Sequence, residues 1–267
     1  MQFDEFDKQM RVYEMSNDAY VLPGIFMVAR LDGRSFTRLT KETHALITPY
    51  DETFRDSMLE TAEHLMDCGF RVIYAYTHSD EISLLFHPDE SAYNRLMRKY
   101  ISILAGEASA KLSLLLGDLA TFDCRISQLP TVEQVLDYFL WRSEDARRNA
   151  LSSHCYWALR KSGKTPKEAG EELKGLSFEE KNELLGHHQI DFEGLAGWQK
   201  SGIGLLWEAY EKSATDPTTE QEVLARRYRV IRVMDLPEKE AYGQFVTSII
   251  DSADSKAEQA ALGELAR

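Results

Sequence analysis

The sequence predicts an α+β protein whose first half follows the ferredoxin-like, split βαβ plan and whose second half is mainly helical. Two observations predict this class. Strand-length apolar runs alternate with helical periodicity in the order β-α-β-β-α-β as far as Pro130, and helical patterns dominate after it. The 267 residues suffice for one large or two small domains. We predict an α/β domain at residues 1–130 and, packed on it, a mainly helical region with a possible returning strand at 131–267.

Each element of the first half has a local signal. Residues 24–31 form a mostly apolar run that stops at Asp-Gly, which is typical of a buried strand. Apolar residues recur every three or four positions over 51–68, and Gly69 follows, which predicts a helix laid on the sheet. The runs 71–77 and 81–87 flank His-Ser-Asp and predict a β-hairpin with an acidic tip.

The later elements are predicted in the same way. Residues 92–116 predict a second helix and 120–126 a fourth strand, which completes the split βαβ order. A long helix is predicted over 132–159, and short helices broken by glycine over 165–212. Residues 226–234 alternate like a strand that returns to the sheet.

Composition and charge exclude several classes of protein. The 31 Lys and Arg stand against 44 Asp and Glu, a net charge of −13, so any RNA contact needs a local basic patch. Cys68, Cys124 and Cys155 are widely spaced without a C-x-x-C pair, which argues against a disulfide framework or a zinc knuckle. No apolar run approaches the ~18 residues of a membrane span, and the start lacks a signal-peptide pattern. We therefore expect a cytoplasmic protein with no membrane partner, and an exposed tail from Asp251.

Acidic residues end two strands that the predicted plan makes neighbours. Asp32-Gly33 closes the first strand and can lie beside Asp80 and Glu81 at the hairpin tip. Magnesium ions are usually held by one or two carboxylates plus substrate phosphates, and two such ions can clamp both oxygens of a phosphoryl transfer. Acids also favour turns for purely local reasons. The spacing alone therefore leaves both a metal site and ordinary turns open.

Five blocks of sequence resemble, in order, the motifs of one family, the tRNA-histidine guanylyltransferase-like proteins. The blocks are ARLDGRSF from Ala29, THSDEIS from Thr77, FDCR from Phe122, WRSED from Trp141, and EKNELL from Glu180 followed by WQKSGIG from Trp198. The match spans roughly residues 1 to 210.

That resemblance implies a polymerase-type palm for residues 1–130 and nucleotide addition in the 3′-to-5′ direction at the 5′ end of tRNA. A nucleoside triphosphate, ATP or GTP, would first activate the 5′ end, and an incoming nucleotide would then attack it. By the family pattern Asp32 and Asp80 would bind two Mg²⁺ ions, the carbonyl of Gly33 would add a ligand, and Glu81 would support them as a third catalytic acid. Family members are usually oligomeric, so the resemblance implies a homo-oligomer, most commonly a homotetramer.

Phosphoryl transfer needs cations and hydroxyls that bind the triphosphate. The candidates near the acidic residues or on the second helix are Arg30, Arg34, Ser79, Arg95, Arg98, Lys99 and Arg125. Each cation among them is also compatible with a solvated charge on an amphipathic face. For tRNA contacts, residues 142–167 carry seven cations against two acids, and Arg226 to Arg232 form a second cluster.

Two departures from the family pattern bear on the substrate. Members that guanylate histidine tRNA carry His-Ile-Asn-Asn-Leu-Tyr-Asn, where this chain has Arg147 in place of the histidine and keeps only Asn149. This resembles the bacterial and archaeal-type branch, which repairs truncated tRNA 5′ ends with template-directed nucleotides. The family's Lys-Pro-x-Asp is Thr48-Pro49-Tyr50-Asp51 here, which removes a cation unless Lys41 replaces it.

Two other functions stay open at this stage. A nucleotidyl or dinucleotide cyclase also places two metal-binding acids on a palm of similar strand order. A tRNA-binding protein with a vestigial site is the non-catalytic alternative, although Asp32, Gly33, Asp80 and Glu81 are all present.

Overall fold

The computed structural model describes residues 2–36, 39, 44, 46–215 and 222–253. The described strands are β1 (Phe26–Gly33), β2 (Val72–His78), β3 (Glu81–Phe86), β4 (Phe122–Leu129), β5 (Ile203–Thr215) and β6 (Glu222–Val233). The described α-helices are α1 (Phe3–Glu14), α2 (Glu52–Met66), α3 (Met97–Leu116), α4 (Val132–Lys161), α5 (Pro166–Leu173), α6 (Phe178–His187) and α7 (Lys239–Ala253). Short 3₁₀ turns lie at Ala92–Arg95 and Gly197–Gln199.

The strands form one antiparallel sheet in the order β4-β1-β3-β2-β5-β6. Its first four strands have the predicted ferredoxin-like order, so the α+β fold class is confirmed. The register of β1 pairs Asp32 with Glu81 on β3 and with Asp123 on β4. Acidic residues from three strands therefore meet at one end of the sheet.

Helices cover both faces of the sheet. On one face, α2 and α3 bury Leu65 and Leu104 against Leu31 and Leu84 of the strands. On the other face, α4 and α7 bury a second cluster, in which the Tyr74 and Tyr242 hydroxyls are hydrogen bonded at 2.9 Å. The sheet is thus the middle layer, and the acidic strand ends open towards the α4 side.

Local signals explain where the helices around the site begin and end. The Asp51 carboxylate accepts the Phe54 N–H at 3.0 Å and so caps the first turn of α2. α3 ends at Gly117, whose φ of 66° is the left-handed conformation that glycine adopts without strain. Thr131 caps α4 by accepting from the Gln134 N–H.

The second half differs from its prediction. The expectation of short helices through residue 212 is wrong beyond Gly202, because Ile203–Thr215 forms β5. Leu205 packs in the α2–α3 core and Leu206 against the α4–α7 core, so burial on both faces favours a strand here. The returning strand predicted over 226–234 is present as β6 and pairs with β5.

Both ends of the described chain add helices that the patterns did not indicate, α1 and α7. Of the tail predicted to be exposed, Asp251 is exposed and Ala253 is buried at the end of α7, while 254–267 lie outside the described residues. The domain division at residue 130 stays a prediction. No helix in the described ranges is long and apolar enough to cross a membrane.

Candidate active site

The ends of β1 and β3 bring the predicted acidic residues together. The Gly33 N–H donates to the Asp80 carbonyl at 3.0 Å, and Asp32 lies directly across the ladder from Glu81. The hairpin tip is tight, since Ser79 adopts a φ of 54° and its hydroxyl lies 3.1 Å from Asp80 Oδ1. The paired strands therefore fix the position of the Asp32-Gly33 backbone relative to that of Asp80-Glu81.

A cavity of about 640 Å³ opens at these strand ends, within the range of small-molecule sites. Asp32, Asp80 and Glu81 line it, together with Arg30 and Ser79 of the predicted triphosphate-binding set. The opposite walls come from the 46–51 loop, α2, α4 and the 3₁₀ turn at Gly197–Gln199 and include Tyr50, Arg55, Trp141, Arg142, Asp145, Asn149, Trp157 and Trp198. The cavity thus has an acidic end and an aromatic wall.

Glu81 is held by an arginine from the opposite layer. Arg142 of α4 donates through Nε and Nη2 to the two Glu81 carboxylate oxygens, both at 2.7 Å. The two side chains are only 8% and 14% exposed, and Nη2 also donates to Asp145 at 3.0 Å. Burial raises the pKa of Glu81, while the Arg142 charge opposes that rise. Glu81 is therefore a fixed carboxylate whose negative charge is compensated.

Asp32 and Asp80 are in a different situation. The ion pairs in this region go to Glu81 and Asp145, and none among the described residues reaches Asp32 or Asp80. Burial raises the pKa of Asp80, and the negative charge of Asp32 raises it further. Two neighbouring carboxylates that form no ion pair among the described residues are thus poised to accept a cation.

This donor set can be tested against the magnesium ions that the family pattern implies. No group of three or more His, Cys, Asp or Glu side chains within the described ranges could hold a metal ion alone. Mg²⁺ does not require one, because it is commonly bound through one or two carboxylates and completes its shell with water and substrate phosphates. The Asp32–Asp80 pair fits such an ion.

Gly33 has a structural reason to be glycine besides any approach to a ligand. A Cβ on Gly33 would lie 2.7 to 2.8 Å from three ring atoms of Phe36. That ring is 3% exposed and packs against Phe122 and Phe54 at centroid distances of 5.2 and 6.1 Å. The core beneath the strand end therefore leaves no room for a side chain at this position.

Arg30 is the predicted cation with the clearest position in the cavity. Its Nε is buried without a hydrogen-bond partner among the described residues, and it lies 4.0 Å from Glu81 Oε2. A buried guanidinium N–H that lacks a partner is costly unless an acceptor is supplied. Arg30 is therefore a natural contact for an anionic ligand.

Three of the predicted cations lie elsewhere. The Arg95 guanidinium is buried against the backbone carbonyls of Pro88, Glu90 and Ile25, Arg98 pairs with Asp18, and Lys99 lies 5.5 Å from the Tyr93 ring. Within this chain these three cations do not line the cavity at the acidic pair, and their role as triphosphate contacts stays a prediction. Arg95 ends the 3₁₀ turn before α3, and Arg98 and Lys99 lie in the first turn of α3. The end of α3 leads into β4 next to Asp32, so the helix direction places these cations at the far end of the sheet.

The other two predicted cations, Arg125 and Arg34, lie outside the cavity lining. Arg125 on β4 is exposed and donates to Asp123 at 3.0 Å, and its charge is close enough to interact with Asp32 and Glu81. Arg34 is exposed beyond the end of β1, and its backbone N–H donates to the Thr121 carbonyl. Neither side chain lines the cavity.

Sequence reasoning missed several cavity residues. The sequence pattern places Arg142 in a predicted RNA-binding patch, although its place in the Trp-Arg block is a usable signal for the site. Arg55 was not singled out, yet its guanidinium lies 4.5 Å from the Trp198 ring centroid. Tyr50 packs between His78 and His154 at centroid distances of 5.4 and 5.5 Å. These contacts join residues far apart in the chain and have no local sequence pattern.

Two family models match most of the chain. One, described as tRNAHis guanylyltransferase, covers residues 7–130, and the other, described as Thg1 C terminal domain, covers residues 133–243. The chain belongs to the tRNA(His) guanylyltransferase family. As a member of this family it is a nucleotidyltransferase, and the family adds nucleotides to the 5′ end of tRNA.

Curated relatives of this guanylyltransferase family member include eukaryotic proteins. The chain is 31% identical over 186 residues to the tRNA(His) guanylyltransferase of Debaryomyces hansenii, covering 65% of this chain and 70% of that protein. It is 29% identical over 205 residues to a probable tRNA(His) guanylyltransferase of Mus musculus, covering 73% and 68%.

Solved structures resemble the whole described fold. One is a bacterial tRNA(His) guanylyltransferase (Thg1)-like protein in complex with GTP, at 25% identity and a TM-score of 0.67, covering 92% of this chain and 99% of that one. A second, in complex with ATP, has 23% identity, the same coverage and a TM-score of 0.72, and supports the fold alone.

The structure also describes the two departures from the family pattern. Arg147 binds Glu193 through Nη2 at 2.5 and 2.6 Å and lies between the Phe178 and Phe192 rings, so it ties α4 to the segment before the Gly197–Gln199 turn. At Thr48, where the family has lysine, the ammonium of Lys161 donates to the backbone carbonyl at 3.0 Å. Lys41 lies outside the described residues.

The predicted basic patch over 142–167 is largely engaged within the protein. Arg142 is buried, Arg147 and Lys164 form ion pairs, and Arg160 donates to the Lys164 carbonyl. In the second cluster, Arg229 and Arg232 pair with Glu208 and Glu63. Fewer cations than expected are therefore free to meet RNA phosphates.

Proposed function

We propose that this guanylyltransferase-family protein extends the 5′ end of tRNA in the 3′-to-5′ direction, choosing each nucleotide by the base that opposes it. The observation that carries the proposal is the uncompensated Asp32–Asp80 pair on adjoining strand ends at one end of an ample cavity. Support for template-directed repair, as opposed to guanylation of histidine tRNA alone, comes from Arg147, which replaces the family histidine and is bound to Glu193.

The substrate would lie along the cavity, with its triphosphate at the acidic end. Asp32, Asp80 and the Gly33 carbonyl would hold two Mg²⁺ ions, which neutralise phosphate charge and activate the attacking hydroxyl when bound. The buried Arg30 Nε is free to donate to a phosphate oxygen, and charge-assisted bonds of this kind are strong. The aromatic wall formed with Trp198 suits the faces of ATP or GTP bases.

The tRNA itself would be bound by the cations that remain exposed. Arg148 and Lys167 lie on α4 and α5, and Arg226 and Arg227 on the outer part of the β5–β6 ribbon. Phosphate contacts of this kind give a binding constant that falls steeply with salt. Self-association, commonly as a homotetramer, stays part of the proposal on the family resemblance, and a cytoplasmic location stays part of it on the sequence pattern.

The proposal is tested with a tRNA that lacks its first 5′ nucleotide, supplied with a 5′-monophosphate or a 5′-triphosphate end. Each labelled nucleoside triphosphate is added in turn to four tRNA versions that differ in the opposing base. We expect addition only of the complementary nucleotide, and loss of addition in Asp80→Ala. A cyclic product formed from nucleotide alone would favour the cyclase function. Binding of tRNA without turnover by folded protein would favour the non-catalytic one.

A further inference from the structure

Three carboxylates, those of Asp32, Asp80 and Glu81, lie at the acidic end of the cavity. Asp32 and Glu81 are directly opposed across the β1–β3 ladder, and Asp80 precedes Glu81 at the hairpin tip. Directly opposed like charges destabilise a sheet. In a cavity partly shielded from water this repulsion is larger than at a surface. Some compensation is therefore required before the site can form.

Arg142 supplies that compensation through a geometry with little freedom. Its planar fork engages both Glu81 oxygens at 2.7 Å, and the same Nη2 donates to Asp145. The guanidinium also lies 4.5 Å from the Trp141 ring centroid. Bidentate arginine–carboxylate pairs fix direction as well as charge, which a lysine cannot reproduce. Glu81 is thus held towards α4.

We propose that Arg142 is a positioning residue that keeps Glu81 out of the cation-binding set, so that Asp32 and Asp80 alone present free carboxylates to the cavity. This inference rests on the proposed function, whose reaction needs a site of limited negative charge. A third carboxylate would bind a cation more tightly and would also repel the triphosphate.

One alternative role must be distinguished. The hydrogen bonds of Arg142 to Glu81 and Asp145 come from Nε and Nη2, so Nη1 could instead bind a substrate phosphate directly. The two roles predict different couplings. A residue that acts through Glu81 loses its importance when Glu81 is neutralised, whereas a direct phosphate contact does not.

The test is a double-mutant cycle of wild type, Arg142→Met, Glu81→Gln and the combined variant. Mn²⁺ affinity is measured at pH 8 by electron paramagnetic resonance without tRNA or nucleotide, and kcat and KM are measured for nucleotide addition. Arg142→Met should bind Mn²⁺ at least about fivefold more tightly, because loss of the fork releases Glu81 to join Asp32 and Asp80 at the cation. Its kcat should fall at least about a hundredfold.

In the combined variant, the Mn²⁺ affinity should return to within about twofold of wild type and kcat should recover at least about tenfold over Arg142→Met. Arg229→Met, which breaks the ion pair with Glu208 on the β5–β6 ribbon, controls for loss of any arginine and should leave the Mn²⁺ affinity unchanged.

Two results would overturn the proposal: an unchanged Mn²⁺ affinity in Arg142→Met, or a combined variant as slow as that single mutant. If Arg142→Met fails to fold, Arg142→Lys takes its place, since it keeps the charge but loses the fork. Arg142→Lys should then also bind Mn²⁺ more tightly than the wild type. An unchanged Mn²⁺ affinity would contradict the proposal. Because Mn²⁺ binding is read without tRNA, it decides this inference even if the wild type fails to extend tRNA.

Discussion

A methyl group added at Gly33 should collide with the ring of Phe36, and this makes Gly33→Ala a quantitative test of the packing beneath the acidic site. The new Cβ would lie 2.7 to 2.8 Å from three ring atoms, which is well inside normal contact. The ring cannot easily retreat, because it is 3% exposed and wedged against Phe122 and Phe54. Overpacking of this kind costs about 1–3 kcal/mol.

That cost corresponds to a fall in Tm of roughly 2–6 °C for a chain of this size. Heat unfolding measures the fall in Tm, and urea unfolding measures the loss of unfolding free energy. The matched control is Gly106→Ala in the exposed interior of α3, where a Cβ meets nothing within 4 Å. There alanine should stabilise the helix by about 0.5–1 kcal/mol. The same substitution thus has opposite signs at the two sites.

The cause is checked by shortening the ring. In Gly33→Ala/Phe36→Leu the methyl group gains room, so the double mutant should be at least about 1 kcal/mol more stable than additivity predicts. If nucleotide addition recovers along with stability, Gly33 is required only because the Phe36 ring packs against it. If stability recovers but nucleotide addition does not, the absence of a side chain at Gly33 is also required for a ligand to approach the backbone. A wild-type Tm for Gly33→Ala, or additive effects in the double mutant, would refute the reasoning.

Three further predictions follow from contacts around the cavity. Burial lowers the pKa of His154 to about 4 from an ordinary 6.5, so the unfolded chain binds the proton first and stability falls as pH drops below 6.5. Between pH 7.5 and 5.5 this loss is about 1 kcal/mol, and urea unfolding of His154→Gln should lack it. Lys161 donates to the carbonyl of Thr48, which stands where the family has a lysine. If Lys161 replaces that cation, Lys161→Ala should weaken nucleoside triphosphate binding about fivefold by calorimetry, as an exposed charge worth about 1 kcal/mol would. Lys167→Ala is the control, and equal affinities in both variants would exclude a phosphate contact by Lys161. Arg147→Met breaks the bond to Glu193 and should cost about 1–2 kcal/mol of unfolding free energy; an unchanged urea midpoint would show that this clamp is unimportant.

The acidic strand ends could be predicted because their signals are local. The apolar run before Asp32 and the hairpin around Asp80 each define a strand end. The split βαβ order then makes those strands neighbours. The observed pairing of Asp32 with Glu81 follows from that order. Local periodicity and one topological rule were enough for this part of the site.

Long-range contacts explain what could not be predicted. Arg142 reaches Glu81 across 61 residues, and in the sequence it looks like any other arginine on a basic helix. Arg95 looks equally available, yet it is enclosed by three backbone carbonyls. The sequence predicts short helices in place of β5, because glycines flank and interrupt its apolar run and such glycines are also typical of the breaks between short helices. Which cation serves the site depends on the direction of each helix relative to the sheet.

The central claim is that the Asp32–Asp80 pair is the reaction centre, and one comparison tests it most directly. Asp32→Asn and Asp123→Asn change the same residue type at cross-strand partners, but only Asp32 lines the cavity, while Asp123 pairs with Arg125 outside it. The measurement is the single-turnover rate of nucleotide addition to 5′-truncated tRNA. We predict a loss of at least about a thousandfold for Asp32→Asn and less than about fivefold for Asp123→Asn. Equal rates for the two variants, with both proteins folded, would contradict the claim.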